Sequence, residues 1–282
     1  MLVIIMNNVI YVMTYNVSWE SLESVNSGRL DMTHCKVNDI NLCVNNIAQI
    51  IGKIGIKKNN SNLFDFIALQ EINDSKNQWV SLRNKMNPLL LSKMNVEFTK
   101  IGKAGIITMY DKKYSLITKI EGNLSTGNDI RPYHILVFNQ NIIFINLHMP
   151  HQKQNESFKI IYNQIKKIIQ LNQKLINYKI IMGGDFNNNN PTKFKYYQKI
   201  SQLFEIKLNQ EPNQLTSCCT NISKSTYQKT YDHIFSNLQY LTYYTLEPIE
   251  YFESNDKKMM SDHLPIFASF TNIQKRYLIE YN

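Results

Sequence analysis

The chain has 282 residues, 43% of them hydrophobic, with a formal net charge of +9 and a pI near 9.2. That length supports one sizeable α/β core, and no Pro/Ser/Gly-rich linker or internal repeat divides it, so a single domain is expected, with a core at about 9–270 and a short tail at 271–282. The basic balance suits an anionic partner, but Arg occurs only at 29, 83, 131 and 276 and the rest of the basic set is Lys, so codon bias accounts for the charge as well as DNA does.

The four cysteines, Cys35, Cys43, Cys218 and Cys219, do not form a disulfide-scaffold pattern in a chain of this size. Adjacent Cys218 and Cys219 are badly placed for a mutual bridge, so free thiols in a reducing compartment are expected. Leu2 to Met6 is too short for a signal segment, and no run approaches the roughly 18 apolar residues of a membrane span. A soluble, intracellular, monomeric protein is the expectation.

In chain order, Val9 to Tyr15 is a β-rich run that delivers Asn16 to its tip. Ser18 to Thr33 reads as polar loop. Val37, Ile40, Val44, Ile47, Ile50, Ile51 and Ile54 recur at three- and four-residue steps and predict an amphipathic helix ending near Gly52 or Gly55. Leu63 to Glu71 is a second buried strand, and Trp79, Leu82 and Met86 predict a helix stopped at Pro88. Short strands follow at Ala104–Tyr110, Tyr114–Ile120 and Tyr133–Phe138, then a core strand from Ile142 to His148.

Phe158, Ile161, Ile165, Ile168, Ile169 and Leu175 mark a long helix. It leads to a buried strand, Tyr178 to Met182, which Gly183 and Gly184 stop. Asp185 and Asn187 then share a face by period-2 geometry while Phe186 turns into the core. A carboxylate and an amide so placed could orient a water against an electrophile. Helix-compatible sequence runs from Phe194 to Phe204, and two last strands carry Tyr231–Phe235 and Leu264–Phe270. Strands separated by helices, with hairpin-like runs, predict two packed mixed sheets with helices outside.

Polar residues fall repeatedly at strand ends, where catalytic groups are expected to leave a rigid sheet. The blocks Thr14-Tyr15-Asn16, Leu69-Gln70-Glu71, Asn146-Leu147-His148, Gly184-Asp185-Phe186-Asn187, Tyr231-Asp232-His233-Ile234 and Ser261-Asp262-His263-Leu264-Pro265 occur in that order. In set and order they resemble the endonuclease/exonuclease/phosphatase superfamily, with its DNase I-like fold, over nearly the whole chain.

The resemblance implies a four-layer α/β sandwich and a Mg²⁺-dependent phosphoester hydrolase that takes Mn²⁺ as a substitute. It implies Glu71 as the metal ligand, with Asn16 and Asp262 completing the metal's surroundings. Hard oxygen ligands from few carboxylates suit Mg²⁺. Asp185 would align or deprotonate the attacking water, and Asn187 would help hold it. His263, oriented by Asp232, would be the second acid/base group, and His148 would bond the phosphoryl oxygens. Arg131, before Pro132, stands where relatives carry a phosphate-contacting arginine. His233 is expected to turn away from the site, and His134 carries no motif.

His148 stands where AP endonucleases usually have Asn, and the Tyr231-Asp232-His233 block lacks the Trp-Cys-Asp-Arg of inositol-polyphosphate 5-phosphatases. The remaining blocks occur among nucleases, deadenylases, tyrosyl-DNA phosphodiesterase-like proteins and sphingomyelinase-like enzymes alike, and nucleic acid is the first expectation for substrate and partner. A phosphorylated lipid or inositol is the second, and an inactive binding protein on the same fold the third.

Overall fold

The computed structural model describes residues 2–19, 22, 40–57, 64–73, 77–124, 129–171, 178–204, 217–218, 229–245 and 261–278. Its elements, in order, are β1 (Leu2–Asn16), α1 (Ile40–Lys57), β2 (Phe66–Gln70), α2 (Gln78–Lys85), α3 (Pro88–Lys93), β3 (Met94–Ile101), β4 (Ala104–Asp111), β5 (Leu116–Asn123) and β6 (Pro132–Phe138). They continue with β7 (Ile142–His148), α4 (Gln154–Leu171), β8 (Lys179–Asp185), a 3-10 turn (Pro191–Lys193), α5 (Lys195–Leu203), β9 (Asp232–Ser236), β10 (Gln239–Thr245) and β11 (Ile266–Leu278).

Two mixed sheets result. One has six strands in the order β10-β11-β1-β2-β4-β3, and the other five in the order β5-β6-β7-β8-β9. Strand alternation assigns each side chain to a layer. On β1, Met13 and Tyr15 face the helices, in one core with Val44, Ile47 and Ile51 of α1 and Leu82 of α2. Ile10 and Val12 face the other sheet and meet Phe66 and Ala68 of β2, Phe144 of β7, Ile181 of β8 and Ile234 of β9. On the far side Ile143, Ile145 and Leu147 of β7 and Met182 of β8 pack with Phe158, Ile161 and Ile165 of α4 and Ile200 of α5. The order helices, sheet, sheet, helices is the expected four-layer sandwich.

The same alternation, carried to the strand ends, brings polar groups to one rim. Parallel pairing of β1 with β2 puts Asn16 opposite Gln70, and parallel pairing of β7 with β8 puts His148 opposite Asp185. Antiparallel β9 begins with Asp232 opposite Asp185, and antiparallel β11 begins with Ile266 opposite Thr14, just after His263.

Several boundaries differ from the sequence reading. Strand β1 begins at Leu2, and β11 runs on to Leu278 opposite it, so the expected tail from 271 is largely strand. Helix α1 continues through Gly52 and Gly55 to Lys57. A Cβ on Gly52 would lie 3.3 Å from Asn87 Cβ, so this glycine serves close packing and does not end the helix. Pro88 opens the short helix α3, where a missing N–H costs nothing. Strand β10 has no counterpart in the sequence reading.

Gly183 and Gly184 lie inside β8 and do not stop it. A Cβ on Gly184 would come 2.0 Å from the Leu147 carbonyl oxygen, so only glycine lets β8 sit this close to β7 and carry Asp185 to the rim. Cys43 and Cys218 each take part in a disulfide, and among the described residues no cysteine is free. That overturns the expectation of free thiols, because spacing along the chain does not report which sulfurs folding brings together. No described helix is long and apolar enough to cross a membrane. The polar loop expected at Ser18–Thr33 lies largely outside the described residues.

Candidate active site

Asp185 is the centre of the rim. Its Oδ2 accepts from Asn16 Nδ2 at 3.0 Å, and its Oδ1 accepts from the backbone N–H of Asn187 at 2.8 Å. Two imidazoles flank it, with Nε2 of His148 at 3.6 Å and Nε2 of His263 at 3.8 Å from Oδ2. Glu71 Oε1 lies 3.6 Å from the same His148 nitrogen. Behind His263, Asp232 Oδ2 accepts from Nδ1 at 2.8 Å and from Ser217 Oγ at 2.8 Å. Ser261 Oγ donates to the Asn16 carbonyl at 2.6 Å and ties the His263 segment to the end of β1.

Burial is the main influence on these groups. It pushes Asp185 up to about 6, against the nearby His263 charge and with the help of Asp232. Burial also holds His148 well below the usual imidazole value, and the charges of Arg131, His263 and His151 add to this. His263 goes the other way. Burial alone would lower it, but the carboxylates of Asp232, Asp262 and Asp185 outweigh that and raise it well above normal. The rim therefore holds a neutral imidazole, an imidazolium and between them a carboxyl group poised near neutrality.

The sequence-derived residues Asn16, Glu71, His148, Asp185, Asn187, Asp232 and His263 come together here. Asp262 joins them as a partly exposed carboxylate beside His263. Glu71 reaches the site by a backbone device. Gln70 points between the sheets, so strict alternation would send Glu71 toward the helices, but its φ of 60° breaks the parity. Asn187 also differs from the period-2 expectation. It sits in a left-handed turn at φ 49°, its side-chain amide donates to the Met149 carbonyl at 2.8 Å, and its backbone N–H is what holds Asp185.

Arg131 Nη2 pairs with Asp129 at 3.3 Å, its Nε is buried without a hydrogen-bond partner, and its charge is felt at His148. His233 packs away from the site as expected, its ring against Phe186 and Phe235 and its Nε2 at 2.8 Å from the Asn188 carbonyl. At the mouth, the Tyr231 ring meets His151 edge-on, with Lys229 Nζ over its face at 5.1 Å.

Two groups of carboxylates and imidazoles could hold a metal ion: Glu71 with His148 and Asp185, and Asp185 with Asp232 and His263. In each the ligand atoms lie within 4.8 Å of one another. The chemistry of the set suits a hard divalent cation. Glu71 and Asp262 are partly exposed carboxylates at the mouth, whereas Asp232 is already engaged by His263 and Ser217.

Sequence reasoning passed over the layer behind the site. Gln70 Nε2 donates to Thr14 Oγ1 at 3.1 Å and to Asn146 Oδ1 at 2.8 Å. Asn146 Nδ2 donates to Thr108 Oγ1 at 3.2 Å, and Thr108 Oγ1 lies 2.6 Å from His134 Nε2. His134 Nδ1 in turn lies 2.9 Å from Thr99 Oγ1. The signal was present, since Gln70, Asn146 and His134 are polar residues at inward positions of apolar strands. Ser217 left no such signal, because it belongs to no periodic run.

No family model matches the chain. An uncharacterized protein of Acanthamoeba polyphaga mimivirus is 30% identical over 220 residues, covering 73% of this chain. The match takes in 40% of the viral protein, so the chain spans about two fifths of that relative's length. Among solved structures, TDP2 from Caenorhabditis elegans superposes with a TM-score of 0.62 at 12% identity, covering 94% of this chain and 75% of that one. An endonuclease/exonuclease/phosphatase family protein from Bacteroides thetaiotaomicron gives 0.61 at 16% identity, covering 94% and 96%. ANGEL2, a 2′,3′-cyclic phosphatase, gives 0.61 at 15% identity, covering 94% and 95%. At these identities the likeness is one of fold.

Proposed function

Taking the DNase I-like fold of the endonuclease/exonuclease/phosphatase proteins as the frame of this chain, we propose that it is a divalent-metal-dependent phosphodiesterase acting on nucleic acid. The observation that carries this reading is the Asp185 carboxylate held between His148 and His263, with Asp232 fixing the His263 ring. Glu71, Asn16 and Asp262 would hold Mg²⁺ or Mn²⁺, which when bound neutralises phosphate charge.

The protonation states divide the labour. Asp185, near 6, is ionised at neutral pH and takes the proton of the attacking water, while Asn16 and the Asn187 backbone fix its two oxygens. His263 enters as imidazolium, so it cannot be the base and instead gives its Nε2 proton to the leaving oxygen as the P–O bond breaks. Neutral His148 bonds a phosphoryl oxygen. Arg131 and Lys229 put positive charge around the mouth, and Tyr231 offers a ring for a base.

The test is a Mg²⁺-supported panel of single- and double-stranded DNA, RNA, 5′-tyrosyl DNA, sphingomyelin and inositol phosphates, with Asp185→Asn as the inactive control. Nucleic-acid cleavage should lead, and Arg131→Ala should raise KM and flatten the salt dependence. Efficient lipid or inositol-phosphate cleavage with no action on nucleic acid would overturn the substrate assignment.

A further inference from the structure

Away from the cleft, the outer face of α4 and α5 carries a cluster that catalysis does not use. The rings of Tyr162 and Tyr196 lie 5.8 Å apart, one on each helix. Lys199 Nζ stands 5.7 Å from the Tyr162 ring and 5.0 Å from the Tyr196 ring, and Lys159 Nζ stands 5.9 Å from the Tyr196 ring. Neither lysine has a carboxylate partner among the described residues. The surrounding charge is one-sided. From Met149 to Phe204 the described charged residues are eight lysines against Glu156 and the buried Asp185. The opposite edge is mixed, with Lys119 paired to both Glu97 and Glu121.

This face connects to the cleft. Gln154, at the start of α4, donates to the carbonyls of Phe186 and Asn187 at 2.9 and 3.0 Å, directly behind Asp185. The next residue, Asn155, accepts from the Tyr196 N–H through Oδ1 at 3.4 Å. From Gln154 to Tyr162 the helix rises about 12 Å, so the cluster begins within a few nucleotides' reach of the scissile position.

We propose that the α4–α5 face bearing Lys159, Tyr162, Tyr196 and Lys199 is a single-stranded nucleic-acid track that leads the substrate strand into the cleft. The inference rests on the nucleic-acid reading of the site. Interleaved cations and aromatic rings match a strand that offers phosphates and unpaired bases in alternation. Each lysine moves from a ring face to a phosphate as a base takes its place, exchanging one cation–π contact for a charge pair and a stack. A membrane is the poorer occupant. Of the exposed large hydrophobic residues, only Leu171 lies on these helices, at the far end of α4.

Fluorescence anisotropy with a fluorescein-labelled 20-mer of thymidylate, in chelator to prevent turnover, tests the track. In Lys159→Gln/Lys199→Gln, loss of two phosphate contacts should lower the slope of log Kd against log salt by about 1.4. Tyr196→Leu should weaken binding roughly tenfold with the slope unchanged. Thermal melting checks that each variant is folded. Wild-type Kd and slope in the lysine variant, or no binding by the wild-type chain, would overturn the proposal. So would unchanged oligonucleotide binding with lost binding to phosphatidylserine vesicles, which would make the face a membrane contact. If the variants weaken binding as expected while the wild-type chain cleaves no phosphodiester, the track stands and the hydrolase reading falls.

Discussion

Replacing Asp232 with Asn probes the proton-transfer pair. Asp232 Oδ2 accepts from both His263 Nδ1 and Ser217 Oγ, whereas Oδ1 is buried without a hydrogen-bond partner. An amide with oxygen in the Oδ2 position keeps both bonds but puts its NH₂ where nothing accepts from it. The opposite orientation sets NH₂ against the Nδ1–H. Either way a buried donor goes unpaired, at a cost of about 1–3 kcal/mol of stability.

The larger effect is on His263. Of the groups that raise its pKa, Asp232 contributes most, and without it burial is opposed only by Asp262 and Asp185, so the ring holds its proton less tightly. The depleted general acid should lower kcat by about 10²–10⁴, roughly 3–5 kcal/mol of barrier. The assay is kcat against pH, from about pH 5 to 10, on a chromogenic phosphodiester with Mg²⁺. The wild-type alkaline limb, where His263 loses its proton, should move to lower pH in Asp232→Asn. The double variant with His263→Ala should be no worse than His263→Ala alone, because the two residues act as one unit. An unmoved alkaline limb, or losses that simply add, would refute the pairing. The stability bound up in the raised His263 pKa is present below its unfolded value and is lost as pH rises through the folded one.

Three other outcomes are expected. Activity should vanish in excess chelator and return with Mg²⁺ or Mn²⁺, and Glu71→Gln should raise the metal needed for half-activity at least about tenfold while leaving the melting temperature almost unchanged; full activity in chelator would sink the metal assignment. Gly184→Ala should cost about 1–3 kcal/mol and most of the activity, because its Cβ would meet the Leu147 carbonyl at 2.0 Å, whereas Gly183→Ala, whose nearest contact is 3.6 Å, should be close to neutral in denaturant titration. His134 is buried neutral, its pKa pushed down to about 3 by burial and by Lys119. As pH falls below the unfolded value of 6.5 the unfolded chain takes up a proton that the folded one refuses, so by pH 5 stability should drop by about 2 kcal/mol from this group. Urea titration of His134→Gln at pH 7 and 5 should lose that increment, and an identical pH response in variant and wild type would exclude His134 as its source.

The sequence by itself determined which residues could reach the site, and the reason is local. Alternation in an apolar strand puts every second side chain between the sheets, so Asn16, His148, Asp185 and Asp232 were legible as polar ends of inward-facing rows. The same parity placed His233 outside with Phe235. What alternation cannot supply is which ends meet. Asn16 and Asp185 are 169 positions apart, and Asn16 and His263 are 247 apart. They converge only because β1 pairs parallel with β2 and antiparallel with β11 while β7, β8 and β9 pair in the facing sheet.

Other features were decided by tertiary structure alone. The left-handed φ of Glu71 redirects a carboxylate that alternation would have sent to the helices. Ser217 finds Asp232 from a segment with no period to read. Helix α1 passes through two glycines, and β8 needs Gly184 because of what packs beside it. The pairing of β10 with β11 likewise depends on chain outside either strand. Periodicity records how each segment divides its own side chains between core and rim, whereas register, close approach and charge environment belong to pairs of segments and exist only once burial has brought them together.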